Sequence, residues 1–197
     1  MEFVKKLYPF VVIATVLGVL LALTYGSLKP FLDAADSREF ERALREVFPS
    51  FSRYEMKRFG EKSYYVLYDG ESIVAYVFHA SYPGYGGAVE TLTAVTNGVV
   101  ARVVVMSMAG ETPGLGTKAR DKKWLSQFLG RGVDGIPTTK PDFQLKGCDA
   151  VSGATFSSLA VVRGIYEALA LYGKIFESDM GYNIISQASV PMAEGGR

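Results

Sequence analysis

Residues 149–165, DAVSGATFSSLAVVRGI, gather hydroxyls at the threshold of an apolar-periodic run. Ser152, Gly153, Ala154 and Thr155 form a turn almost without side-chain bulk, and the periodicity behind it predicts a helix starting at about Phe156 or Ser157. The first N–H groups of a helix have no intrahelical acceptor, and the helix dipole adds partial positive charge there. Gly153 has no Cβ to keep a ligand away from the backbone. Such an end binds phosphate, so a phosphate beside Thr155, either bound or joined to its hydroxyl, would be well placed. Ser157 and Ser158 offer further hydroxyls. The same residues have a plainer use, because Ser or Thr before a helix is a common N-cap. A hydrolytic nucleophile would want a general base, and the single histidine, His79, sits in a strand-forming run and reads as structural. Local physics leaves the cap and the phosphate site both open.

Composition narrows the chemistry. The 197 residues carry 21 Lys+Arg against 20 Asp+Glu, with no basic face, which argues against nucleic acid as a partner. One cysteine, Cys148, excludes an internal disulfide, and one cysteine with one histidine excludes the usual protein-only zinc and iron–sulfur sites. Any redox chemistry would rest on an organic cofactor. Cys148 itself reads as a small buried hydrophobe.

From Leu7 to Leu28 no residue is charged, and roughly 20 apolar residues span a hydrocarbon core. Lys5 and Lys6 precede the run, which by the positive-inside rule puts the N-terminus in the cytoplasm and the rest outside. The rival reading, a cleaved signal peptide, suits neither the length of the run nor the lack of a clean small-residue cleavage site. Pro9 is expected in the first turn of the span, where its missing N–H costs little.

After the anchor, Asp36 and Glu39 look like a capping box for an amphipathic helix over residues 37–48, with Phe40, Ala43, Leu44 and Val47 on its apolar face and Pro49 ending it. Two β-rich runs flank Asp69-Gly70 and two more flank Asn97-Gly98, so two hairpins and a four-stranded antiparallel sheet are expected. Residues 82–87, YPGYGG, join them as a loop. Residues 110–116 are a Gly- and Pro-rich loop, residues 117–129 read as a helix, and residues 132–142 as loop. The helix after Thr155 carries Leu159, Val162, Ile165, Tyr166, Leu169 and Tyr172 as its apolar stripe and Gly173 as its C′ residue. The fold class is α+β: an antiparallel sheet with flanking helices, preceded by one N-terminal transmembrane helix.

Asp149, Ser152, Gly153, Ala154 and Thr155 match the pattern D-x-x-[ST]-G-A-T of covalently flavinylated proteins. Residues 110–128, GETPGLGTKARDKKWLSQF, resemble the second signature of the FMN-binding domain of Rnf G subunits and of the related C subunit of sodium-pumping NADH:quinone reductases. Residues 84–105 resemble the strand pair before it. The resemblance covers nearly the whole chain except about residues 30–60, and the short length favours the Rnf protein. It implies FMN joined through a phosphoester to Thr155, installed from FAD by a flavin transferase. It implies a carrier of single electrons among other membrane subunits, in complexes that link ferredoxin oxidation and NAD reduction to ion transport. Such a carrier would not catalyse alone.

The same resemblance assigns roles. Glu111, Thr112, Leu115 and Gly116 would lie near the flavin ring, with Leu115 on its face. Asp149 would serve transferase recognition or motif geometry, and Lys146 would pair with the phosphate. Glu111 is otherwise a turn residue, Trp124 reads as core, and Tyr82 and Tyr85 are either flavin neighbours or ordinary loop tyrosines. The expected organisation is 1–28 cytoplasmic N-terminus and anchor, 29–60 linker and amphipathic helix, 61–190 FMN-binding domain on the outer face of the inner membrane, and 191–197 frayed tail. The segment after residue 28 would be a hinge. A flavinylated sensor module, the equivalent quinone-reductase protein, and a flavin-free anchored domain are the alternatives.

Overall fold

The computed structural model describes residues 2–188; the expected tail at 191–197 lies outside them. The chain divides into two compact units, residues 1–42 and 43–197. In the first, helical backbone starts at Glu2, and the helix, α1, runs Glu2–Val47. Its stretch Tyr8–Gly26 is long and apolar enough to cross a membrane. The side chains there are exposed, as a lipid-facing surface requires. The hydroxyls of Thr15 and Thr24 donate to the carbonyls of Val11 and Leu20, both at 2.8 Å, so neither needs water. Two expectations fail here. Pro9 lies beyond the first turn, since the helix already begins at Glu2. No separate helix starts at Asp36, because helical backbone continues through that position. The end is as expected: α1 stops at Val47, ahead of Pro49.

The second unit is a five-stranded antiparallel sheet in the order β1-β2-β3-β4-β5. The strands are β1 Arg53–Phe59, β2 Lys62–Asp69, β3 Ser72–Pro83, β4 Ala88–Thr96 and β5 Val99–Ser107. Both expected hairpins form. Asn97 and Gly98 take φ of 54° and 77°, the paired left-handed residues of the tight turn that matches strand twist. β1 corrects the expectation of a linker at these residues. RYEMKRF has no apolar alternation, and as an outer strand it stays mostly exposed, so periodicity gives it no signal.

Between β5 and the last helix, the expected helix over 117–129 is broken. A 3₁₀ turn at Gly116–Arg120 is followed by α2, Lys122–Leu125, and another 3₁₀ turn at Ser126–Phe128. Asp121 is the break, with an extended backbone at φ −65°, ψ 129°. Of the apolar face expected there, Trp124, Leu125, Phe128 and Leu129, Leu125 and Phe128 are buried and Trp124 is half-buried, but Leu129 is exposed because the helix has ended before it. The segment read as loop, 132–142, gives way at its end to α3, Lys140–Leu145. Its start is fixed by Asp142, whose Oδ2 accepts the backbone N–H groups of Thr138 and Thr139 at 2.9 Å each and the Thr138 hydroxyl at 2.8 Å. These bonds hold the Asp142 carboxyl well below its ordinary range.

The long helix α4 spans Thr155–Ala188. Gly173 is inside it and not at its end, while Tyr166, placed in the stripe, is exposed. Val161, Val162, Ile165, Ala168, Leu169 and Tyr172 form the buried stripe. The strand alternation puts Val89, Thr91, Thr93 and Val95 of β4, with Phe78 and Ala80 of β3, on the face that meets α4. Close approach depends on Gly164, where a Cβ would collide with Thr91 Oγ1. The opposite face holds Leu67, Ala75, Val77, Leu92 and Ala94, all fully buried, and the end of α1 contributes buried Leu44 and Val47. Arg102, paired with Ala94 on that face, reaches the Glu46 carbonyl at 3.4 Å.

α4 is also tied to the sheet by polar bonds. Glu167 takes the Tyr82 hydroxyl at 2.5 Å and pairs with Lys62. Burial alone would raise the Glu167 carboxyl, but the bonds from Lys62 and Tyr82 outweigh it and hold it below its ordinary 4.5. Burial and the bond to Glu167 push the Tyr82 phenol up to about 12.

Two outcomes are expected. Gly164→Val should lower stability by about 1–3 kcal/mol through overpacking, read by thermal unfolding. A depressed carboxyl stabilises the fold above 4.5 and loses that contribution as pH falls through its folded value, whereas the raised phenol stabilises below 10.0 and loses it as pH rises toward 12. Urea midpoints measured against pH should therefore fall at both ends, and Glu167→Gln should flatten both limbs.

Candidate functional site

Glu111 is the one buried carboxylate in the described core, 6% exposed. Its Oε1 accepts the backbone N–H of Tyr85 at 2.6 Å and of Gly86 at 3.2 Å. Its Oε2 accepts the Ser157 hydroxyl at 2.6 Å. One side chain thus joins the loop between β3 and β4, the loop after β5, and the first turn of α4. Glycine makes room for it, since a Cβ at Gly84 or at Gly116 would collide with the carboxylate oxygens. The loops themselves touch backbone to backbone, because a Cβ at Gly86 would strike the Gly110 carbonyl. Buried charge is tolerated only when its oxygens are satisfied, and here three donors do so.

At the start of α4 the backbone N–H of Ser158 bonds to the Ala154 carbonyl at 3.0 Å. The N-cap position therefore belongs to Ala154, which has no side-chain acceptor, and the helix begins at Thr155, one or two residues earlier than its periodicity predicts. The N–H groups of Thr155, Phe156 and Ser157 have no intrahelical acceptor. Ser158 works backwards: its hydroxyl donates to the Ala154 carbonyl at 3.0 Å and accepts the Val151 N–H at 2.9 Å. The half-buried Thr155 hydroxyl makes no hydrogen bond among the described residues. Gly153 sits at φ 76°, a left-handed conformation that turns the chain into the helix, and its open side faces Leu115, 3.1 Å from where a Cβ would stand. Leu115 is 40% and Phe156 66% exposed. Sequence reasoning passes over Phe156; a large aromatic next to the hydroxyl-rich turn and off the buried stripe is its signal.

The other expected site residues are distributed as follows. Ser152 and Gly153 are exposed and Ala154 buried. Thr112 is exposed, and its carbonyl accepts the Leu115 N–H at 3.2 Å. The Asp149 carboxylate is exposed, while its peptide groups are clamped. Its N–H donates to Gln127 Oε1 at 2.7 Å, and its carbonyl accepts Trp124 Nε1–H at 2.7 Å and Gln127 Nε2–H at 3.1 Å. Trp124 thus mounts the motif as well as packing edge-on against Phe128 at 5.2 Å; a part-buried indole N–H that must find an acceptor is the available clue. Lys146 is not aimed at Thr155. Its ammonium donates to the Ile136 carbonyl at 2.8 Å. Lys118 and Lys123 line a cleft of about 400 Å³ with Asp121, Trp124, Gln127, Asp149 and Val151 of the motif loop. His79 is exposed on β3 and lies 3.5 Å from Glu90. Cys148 is buried, and burial pushes its thiol up, away from reactivity.

Residues 84–170 match the FMN-binding domain family. The chain is 32% identical over 153 residues to the G subunit of the proton-translocating ferredoxin:NAD(+) oxidoreductase complex of Clostridium ljungdahlii, covering 77% of this chain and 82% of that protein. It is 30% identical over 179 residues to the G subunit of the ion-translocating oxidoreductase complex of Methanosarcina acetivorans, covering 85% and 93%. The chain belongs to the G-subunit family of ion-translocating oxidoreductase complexes. A further member, from Cereibacter sphaeroides, is 35% identical over 115 residues, 56% of this chain and 52% of that one.

The residues present suit the FMN group of this G-subunit family. A helix end whose first three N–H groups have no partner, and which has no side-chain cap, among the described residues matches a phosphate. The hydroxyl beside it has no competing bond within the described protein. Leu115 and Phe156 offer exposed apolar surface next to the turn, on which a flat aromatic ring can pack.

Because Glu111 gathers this end of the fold, Glu111→Ala should leave three donors unmatched, and the buried Ser157 hydroxyl alone should cost roughly 1–3 kcal/mol. Glu111→Gln should recover part of that, since its amide oxygen keeps one acceptor. Denaturant unfolding of the two variants checks the order.

Proposed function

We propose that this chain is a single-pass subunit of the inner membrane, with its N-terminus in the cytoplasm and its sheet domain on the outer face. There it would carry electrons between other membrane subunits through FMN joined by a phosphoester to Thr155. A flavin transferase would install the group from FAD, the Thr155 oxygen losing its proton and displacing AMP at the pyrophosphate bond. The Thr155 hydroxyl carries this reading, since it stands at the first residue of α4 without a protein partner among the described residues. The Asp149–Thr155 loop is exposed at Asp149, Ser152 and Gly153, where a modifying enzyme would have to reach it.

The roles of the chain's own groups follow from the geometry. Trp124 and Gln127 fix the peptide at Asp149, and Ser158 fixes the peptide at Val151, so the loop is held at both ends while its turn stays open. The N–H groups of Thr155, Phe156 and Ser157 would receive the phosphate oxygens, with the helix dipole behind them. Leu115 and Phe156 would flank the ring and keep water from part of it. Glu111 acts by positioning: it holds Ser157 through its hydroxyl and sets the loop bearing Thr112 and Leu115 against Gly153. When bound, FMN supplies one- and two-electron chemistry, and the protein supplies orientation and electrostatics. The family's complexes are named for ferredoxin:NAD(+) oxidoreduction and ion translocation, and in the proposed reading this chain carries current within such a complex without performing either terminal reaction.

Intact mass tests it. The full chain co-expressed with a flavin transferase should gain the mass of FMN less water, and Thr155→Val should gain nothing. An unmodified mass in both, with the transferase shown active on another substrate, would sink the phosphoester; flavin released on denaturation would then reveal FMN held without a bond.

A further inference from the structure

β5 is an outer strand of the sheet. At its start it is covered: the Gly130 N–H donates to the Val100 carbonyl at 2.8 Å, and the Val100 N–H donates to the Arg131 carbonyl at 3.0 Å. From residue 102 to residue 107 its outer edge has no backbone partner among the described residues. That is about 20 Å of edge at roughly 3.3 Å per residue. Beside it runs a groove of about 350 Å³, walled by Val103, Val104 and Val105 on one side and by Leu125 and Leu129 on the other. Leu129 is 44% exposed.

The rim is cationic. Arg102, Arg120 and Lys122 line the groove, with Glu46 as its carboxylate. Glu46 is taken by Lys122 at 3.0 Å. Arg102 reaches only an uncharged backbone carbonyl, and Arg120 makes no ion pair among the described residues. Two guanidinium groups thus border an open strand edge with no carboxylate of their own.

We propose that this groove docks an extended, acidic segment of a partner subunit, which pairs with the open edge of β5 as a sixth strand and sets its carboxylates against Arg102 and Arg120. An unpaired edge is a template for a further strand, and a guanidinium fork matches a carboxylate in two bonds. The same charges argue against a second copy of this chain, because edge-to-edge pairing of two β5 strands would bring like charges together. The location has a consequence for the site. Arg120 closes the turn that begins at Gly116, and Gly116 packs on Glu111 and Ser157, so the docked segment would sit against the structure that carries Leu115.

The test uses the assembled complex in detergent, with a photo-crosslinking amino acid in place of Leu129. The expected product joins this chain to one segment of another subunit with two or more Asp or Glu close together, mapped by mass spectrometry. Arg120→Glu should lower the yield at least tenfold with unchanged thermal unfolding. Added salt should lower it too, since the pairs are exposed to screening. A crosslink to lipid, to a second copy of the chain, or to a segment without acidic residues would overturn the proposal, as would a yield indifferent to Arg120→Glu. The Thr155→Val chain should crosslink as well as the parent, because docking rests on the chain's place in a complex and not on flavin attachment.

Discussion

Three chain segments far apart in sequence converge because one carboxylate is buried among them. Glu111 has no ion-pair partner among the described residues, and its oxygens are matched by two backbone N–H groups and one hydroxyl. Its oxygens can be reached only if the glycine loop before β4 and the start of α4 come to it. Burying a carboxylate is costly unless its oxygens are matched, so a folded state that loses one of these loops loses much of the compensation for the others. The glycines at 84, 86, 110 and 116 are the complement of that demand. They let backbone approach where any side chain would push the loops apart. The N-terminus of α4 is therefore a fixed object, although no side chain among the described residues caps it.

The sheet gives this arrangement its rigidity. α4 lies on one face, with Gly164 against Thr91, and the buried end of α1 contributes Leu44 and Val47 to the unit that contains the other. A sheet packed on both faces lets β4 be buried along most of its length. The polar end of α4 can then be left open, since the helix is held further along by Val161, Val162 and Ile165 and by Glu167 with Tyr82 and Lys62. Stability is placed away from the turn at Ser152 and Gly153, and that separation permits an exposed, uncapped loop to persist.

Much of this is legible in the residues. Asp69-Gly70 and Asn97-Gly98 encode their hairpins by local turn chemistry, and the apolar run after Leu7 encodes its helix by composition. The motif around Thr155 is readable because its residue types are unusual together. What escapes are features settled by tertiary contacts. β1 has no alternation because an outer strand need not bury a face. Asp121 breaks a helical pattern whose Leu125 and Phe128 are still buried, so periodicity alone cannot see the break. Gly173 looks like a helix end, but α4 continues because its buried stripe outweighs a cost of about 1 kcal/mol for a helical glycine. Lys146 is a phosphate partner by resemblance alone; the chain turns at Gly147, with φ 61°, and its ammonium meets the Ile136 carbonyl.

The openness of the turn bears on why a covalent bond would be used at all. A cofactor held by contacts alone needs burial over most of its surface. The groups around Thr155 do not offer that enclosure, since Leu115 and Phe156 stand out from the fold and Ser152 and Gly153 are exposed. Deepening the pocket would secure the ring but hide it from a partner. In the proposed reading the phosphoester resolves this conflict: retention is assigned to one bond at the helix end, which the uncapped N–H groups reinforce, and the ring stays near the surface. A carrier that accepts and delivers electrons across subunit boundaries gains from such exposure, and the sheet behind it has only to keep the helix end in place.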